Sequence, residues 1–184
     1  MDAVLDVTRN RVWFIGSSQH NYQFVEYLDL ADDTVKSVST GGWPNSNIAG
    51  YVRLILHSGL LLIPNGTQGL WCFDPDSPND NWIQLTVSGT LPSGINRWAR
   101  HSNGKYYWMP NSGGSTLTTL TPPANPKTGT WTVGTETFGG ATPAAWYGNG
   151  GMTAHYTQLI YVPAIDCLAW IPGGSNPVYL LKPA

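Results

Sequence analysis

Trp146, Tyr147, Asn149 and His155 all fall within the short stretch AAWYGNGGMTAHY (144–156), uninterrupted by any Asp, Glu, Lys or Arg. Flat rings cover the C–H faces of sugars, while amides and hydroxyls bond sugar hydroxyl groups. These four residues, with Trp43 and Tyr22, are therefore candidates for holding a neutral polyhydroxylated ligand. The same residue types suit a protein interface, whose core is rich in aromatics and poor in charge. The plain alternative is that Gly, Ser and Asn in these segments simply form turns.

Signatures of covalent or metal chemistry are missing from the sequence. It contains no His-Glu-x-x-His, Cys-x-x-Cys, Gly-x-Ser-x-Gly or phosphate-loop pattern. DPDSPND (74–80) opens like a calcium loop but lacks the Gly at the sixth position and the closing Glu, so it reads as a turn. Cys72 and Cys167 sit far apart in apolar runs and read as buried free thiols. His57 and His101 occupy matching turns, LHSG and RHSNG, which repeated turn chemistry explains. No catalytic residue, metal ligand or cofactor is expected from these patterns.

Charged residues make up 11% of the 184 residues, against roughly 25% in typical soluble domains. With a net charge of −2, nothing favours nucleic acid or an anionic membrane surface as partner. No apolar run approaches the ~18 residues a membrane span requires. The opening MDAVLDVTRN lacks the basic-then-apolar order of a signal peptide. Richness in Thr, Ser, Gly and Asn suits an exported, surface or virion-associated protein.

These side chains are carried on a repeat. Four segments share one pattern: RVWFIGSSQHNYQFVEYLDL (11–30), LLLIPNGTQGLWCFDP (60–75), KYYWMPNSGGSTLTTLTPP (105–123) and CLAWIPGGSNPVYLLKP (167–183). Each reads as an apolar strand, a Gly/Ser/Asn loop and a second strand ending near Asp or Pro. Three copies continue through a turn into a third strand: VKSVS, WIQLTVS and WTVGTETF. A further strand precedes each hairpin: AVLDV, YVRLIL, INRWAR and TQLIYV. The unit is a four-stranded antiparallel meander, a–b–c–d, recurring at spacings of 48 and 46 residues. Such periods are those of β-propeller blades. The b strands are apolar at successive positions, which suits a sheet packed on both faces. The expected fold is an all-β propeller domain spanning 1–184, with almost no helix. Its four blades lie at about 1–40, 50–88, 95–138 and 155–184, the last lacking its outer strand.

With its Gly-rich loops after strand b (GSS, NG, NSGG, PGG), an aromatic on strand c and Asp/Pro-rich turns before Trp82 and Trp131, the chain resembles the kelch-type, galactose-oxidase-like β-propellers. It departs from that pattern at Val35, where the family would place Trp, and in the fourth copy, which stops at VYLLKPA. Closure by four blades alone, pairing with another copy, and completion by further blades all remain open. A radical-copper site of the galactose-oxidase kind would need a Tyr–Cys crosslink. Cys72 adjoins Trp71 instead, and no copper motif is present.

Antiparallel order puts the b–c and d–a connections at one end of each blade. Those connections (16–23, 39–52, 64–69, 87–96, 110–115, 138–155 and 172–177) total 68 residues without one Asp, Glu, Lys or Arg, although the chain holds 20 such residues. The stretch from Pro143 to Pro172 is 29 residues, against 20 and 18 in the preceding copies, and the excess falls in 144–156. Long insertions on repeat scaffolds gather on the binding face. The sequence thus favours a non-catalytic binding or assembly module. It would recognise a protein surface, including a second copy, or a neutral glycan. The competing readings are a carbohydrate-active or oxidoreductase enzyme completed by a partner chain or missing blades, and a virion or cell-surface structural protein. Two carboxylates converging on one cleft, as glycoside hydrolysis needs, cannot come from the uncharged end.

Overall fold

A computed structural model of the chain describes residues 3–15, 24–39, 54–65, 69–77, 81–92, 98–110, 112–145, 158–173 and 175–183. The chain divides into two compact units, Met1–Thr86 and Val87–Ala184.

In the first unit, β1 (Ala3–Asp6), β2 (Arg11–Ile15), β3 (Phe24–Asp29) and β4 (Thr34–Ser39) form an antiparallel meander in chain order. A second meander follows from β5 (Ile55–His57), β6 (Leu60–Asn65), β7 (Gly69–Phe73) and β8 (Ile83–Leu85). Hairpin chemistry explains the tight β5–β6 connection. Ser58 and Gly59 both have positive φ, 50° and 81°, the pairing a two-residue turn requires to match strand twist. Trp13 and Ile15 of β2 pack with Leu61 and Ile63 of β6, Phe73 and Trp82 in the core of this unit. Leu60 and Leu62, at the alternate positions of β6, are buried as well, so the strand is covered on both faces.

The second unit holds β9 (Val87–Ser88), β10 (Trp98–Arg100), β11 (Tyr106–Trp108), β12 (Thr116–Thr121) and β13 (Trp131–Thr137) in one sheet. Beside it stand β14 (Gln158–Val162), β15 (Cys167–Ile171) and β16 (Tyr179–Leu181) in a three-stranded sheet. Tyr107, Met109, Leu117 and Phe138 from the first sheet pack against Leu159, Leu168, Trp170 and Leu181 from the second. Trp131 is completely buried, and its indole N–H donates to the Pro126 carbonyl at 2.8 Å, which closes the turn leading into β13.

All four sheets are therefore propeller-type blades in an all-β chain, the last with three strands, as the repeat predicts. Among the described residues the only helical turn is a 3-10 turn at Pro163–Ile165. Cys72 and Cys167 are buried free thiols. Val35, at the position where the family pattern has Trp, is exposed.

One expectation is corrected. WIQLTVS does not form a single outer strand: β8 stays in its own blade, while β9 pairs in parallel with β13 of the next, Val87 opposite Trp131 and Ser88 opposite Thr132. Gly89 permits this approach. Its φ is +96°, and a Cβ there would lie 3.0 Å from the Val133 Cβ. The third blade consequently has five strands and a covered outer edge.

Candidate functional site

The meander order places the a–b and c–d turns of each blade at one end and the b–c and d–a connections at the other. The six residues singled out in the sequence, Trp146, Tyr147, Asn149, His155, Trp43 and Tyr22, lie outside the described residues. The root from which 144–156 departs is described, and it is built tightly. In the β11–β12 connection, the Gly114 N–H donates to the Pro143 carbonyl at 2.9 Å. Gly113, at φ +69°, lies so close that a Cβ would fall 2.5 Å from the Ala144 carbonyl carbon and oxygen. On the other side the buried Trp170 of β15 donates its indole N–H to the Ala144 carbonyl at 3.1 Å. The start of the long insertion is thus held between the b–c connection of one blade and the b strand of the next. Sequence spacing placed both segments at the same end. It gave no sign of this pin, because Gly113 is one of several glycines in a Gly-rich loop.

The opposite end concentrates the charge. In the first unit, Asp6 at the close of β1 is buried to 1% exposure. It accepts from the Arg9 backbone N–H at 3.2 Å, Arg9 Nη1 at 2.7 Å and the Trp13 indole N–H at 3.1 Å. Arg9 then reaches Asp76 in the turn after β7, with its Nε 3.1 Å from Oδ1 and a second contact from Nη2 to Oδ2. One guanidinium clasps two blades. In the second unit, Asp166 sits in the left-handed region at φ 50°. Its Oδ1 accepts from the Ser102 hydroxyl at 2.6 Å and the Tyr161 hydroxyl at 2.8 Å. The buried His101 stands edge-on to Tyr161, with Nε2 3.3 Å from Asp166 Oδ1. Its Nδ1 accepts the Asn103 N–H, which leaves Nε2 to face Asp166 as donor. The matching a–b turns that suggested mere turn chemistry for His101 thus also contain an inter-blade contact.

Chemically, these groups act as anchors. Burial pushes the Asp6 carboxyl up, but the bonds from Arg9 and Trp13 outweigh it and hold its pKa below the usual value. The Arg9 bond likewise lowers Asp76, and the Ser102 and Tyr161 hydroxyls lower Asp166. Lys36 and Thr34 hold Asp32 down at about 2. Carboxylates held ionised in this way accept hydrogen bonds and do not serve as proton donors at neutral pH. Burial raises the Tyr107 phenol to about 12. It is neutral, donating to Glu136 at 2.9 Å and accepting from Asn103. Among the described residues no group of three His, Cys, Asp or Glu side chains could hold a metal ion.

Because the four carboxyls bind protons less tightly folded than unfolded, the stability they add is fully present above the ordinary carboxylate range. It is lost as pH falls through their depressed values. Urea unfolding is expected to give a flat midpoint from about pH 8 to about pH 5 and a declining one below. A midpoint that rises on acidification would overturn this assignment.

No helix among the described residues is long and apolar enough to cross a membrane. The sequence matches no protein-family model, and no curated protein matches it.

Proposed function

We propose that this chain is a non-catalytic binding module on kelch-like propeller blades, holding a protein surface or a neutral glycan against its b–c and d–a connections. The observation that carries this reading is the separation of charge along every blade. Ion pairs gather in the a–b and c–d turns and on the strands beside them, as at Asp6–Arg9–Asp76 and Asp29–Lys36–Asp32. The connections at the other end hold only Arg53 and Arg97 among Asp, Glu, Lys and Arg, each within two residues of the strand that follows it. A surface lacking fixed charge binds through area, ring stacking and neutral hydrogen bonds, and leaves little Coulomb energy for salt to screen. The anchored root at Gly113, Ala144 and Trp170 supports a role for the insertion that follows. Gly-rich loops after strand b, with Trp82 and Trp131 opening the d segments, support the kelch-type resemblance.

Two arms test the reading. An array of neutral and charged oligosaccharides probes the glycan. A photo-crosslinking side chain at position 147 captures a protein partner. Binding in either arm is expected to change less than about tenfold between low and high salt. Trp146→Ala with Tyr147→Ala should weaken it at least about tenfold, the effect of losing two aromatic anchors, with an unchanged circular dichroism spectrum. A tenfold fall with salt, an unaffected double variant, or no binding in both arms overturns the proposal.

A further inference from the structure

Three Asn–Gly pairs occur in the chain, and Asn103–Gly104 lies wholly within the described residues. This pairing carries a chemistry of its own. A main-chain nitrogen that attacks the preceding asparagine side chain expels ammonia and closes a cyclic imide. Glycine, with no Cβ beside that nitrogen, hinders the attack least. Asn103 is exposed in the β10–β11 turn, and a Cβ on Gly104 would meet nothing within 4 Å, so solvent and space are at hand. What restrains the reaction is the turn's own hydrogen bonding.

Each reacting group is held. The Gly104 N–H donates to the His101 carbonyl at 3.0 Å. In the imide, Asn103 Cγ would occupy the place of that hydrogen, which in the fold faces His101. Asn103 Oδ1 accepts the Lys105 N–H at 3.1 Å, and Nδ2 donates to the Tyr107 hydroxyl at 2.9 Å. Because a main-chain N–H can only donate, Lys105 fixes which end of the amide is oxygen. The Asn103 N–H donates in turn to His101 Nδ1 at 3.3 Å. Local opening of the turn must therefore precede ring closure.

The product does not fit the network that the amide completes. Tyr107 is 0% exposed, and its neutral hydroxyl has one proton, which it gives to Glu136 at 2.9 Å. A carboxylate at position 103 has no N–H to offer the Tyr107 oxygen. Two anionic acceptors then compete for a single proton, and the loser faces a buried oxygen without a hydrogen bond. Lys105 Nζ, 3.4 Å from Glu136 Oε2, offsets one of the two charges.

We propose that Asn103–Gly104 is a fold-gated deamidation site, which converts when the β10–β11 turn opens and then hinders its closing. Gly104 N bonds to Asn103 Cγ, the Cγ–Nδ2 bond breaks, and ammonia leaves with the proton from Gly104. Water reopens the imide at either carbonyl, giving aspartate or isoaspartate, and nothing is oxidised or reduced. The modification marks chains that have opened at this end of the third blade.

The test incubates the full chain and the peptide RHSNGKYY (100–107) in one mildly alkaline buffer. Trypsin then frees residues 101–105 from both for mass spectrometry. Conversion at Asn103 should run at least about tenfold more slowly in the chain than in the peptide, the protection that a closed turn confers. Tyr107→Phe removes one anchor and keeps the ring, so it should bring the rate in the chain nearer that of the peptide. Asn103→Asp should lower the urea midpoint, and lower it much less when Tyr107→Phe is already present. Equal rates in chain and peptide, or a Tyr107→Phe chain that converts no faster than wild type, overturns the proposal. So does an Asn103→Asp midpoint equal to that of wild type, or a midpoint loss that is the same with and without the Tyr107 hydroxyl.

Discussion

Replacing Asp6 with Ala is expected to cost about 3–5 kcal/mol of stability, the usual penalty for stranding the partners of a buried ion pair. Asp6 is 1% exposed, and of its three donors the Trp13 indole N–H is buried while the two from Arg9 are partly buried. Its loss leaves the Trp13 indole N–H buried without an acceptor and Arg9 with Asp76 as its remaining carboxylate. A penalty of this size consumes a large part of the ~5–15 kcal/mol by which folded domains exceed their unfolded chains. Asp76→Ala provides the contrast. Its carboxylate is mostly exposed, and surface pairs contribute about 0–1 kcal/mol. Urea unfolding of the two variants checks both values. Equal costs would show that the clasp to the second blade, and not the buried anchor at the end of β1, carries the stability.

Gly113→Ala is the second substitution expected to act strongly, costing about 2–4 kcal/mol from backbone strain and a forced displacement. The residue has φ +69°, and the added methyl would meet backbone atoms of Pro143 and Ala144 at 2.5 Å, which no side-chain rotation relieves. Gly104→Ala separates the two contributions. Gly104 also has positive φ, +87°, but open space where its Cβ would go, so only the ~1 kcal/mol of conformational strain applies. If both variants unfold at the same urea concentration, the contact between the b–c connection and the root of 144–156 is not tight. Should Gly113→Ala also weaken ligand binding while Gly104→Ala does not, the loss traces to that root.

Much of the architecture was legible because the signals are local. A run such as LLLIP or CLAWIP declares a strand covered on both faces, and a turn ending before Trp82 or Trp131 declares the next strand. The three strands described in the last blade and the clustering of charge at one end followed from the same repeat. The sequence did not tell which face each apolar residue takes. In b strands apolar at every position, alternation is lost. Only packing shows that Trp13 and Ile15 meet Leu61 and Ile63, or that Tyr107 and Met109 meet Leu168 and Trp170. The transfer of Val87 and Ser88 to the neighbouring sheet was equally silent, because WIQLTVS has the composition of one strand and Gly89 looks like any turn glycine. The same holds for the clasp joining residues 6, 9 and 76 and the pin joining 113, 144 and 170. Hydrophobic periodicity and turn chemistry act over a few residues and are written along the chain. Register, face and long-range polar pairing depend on which atoms meet once the blades pack, and tertiary structure alone decides them.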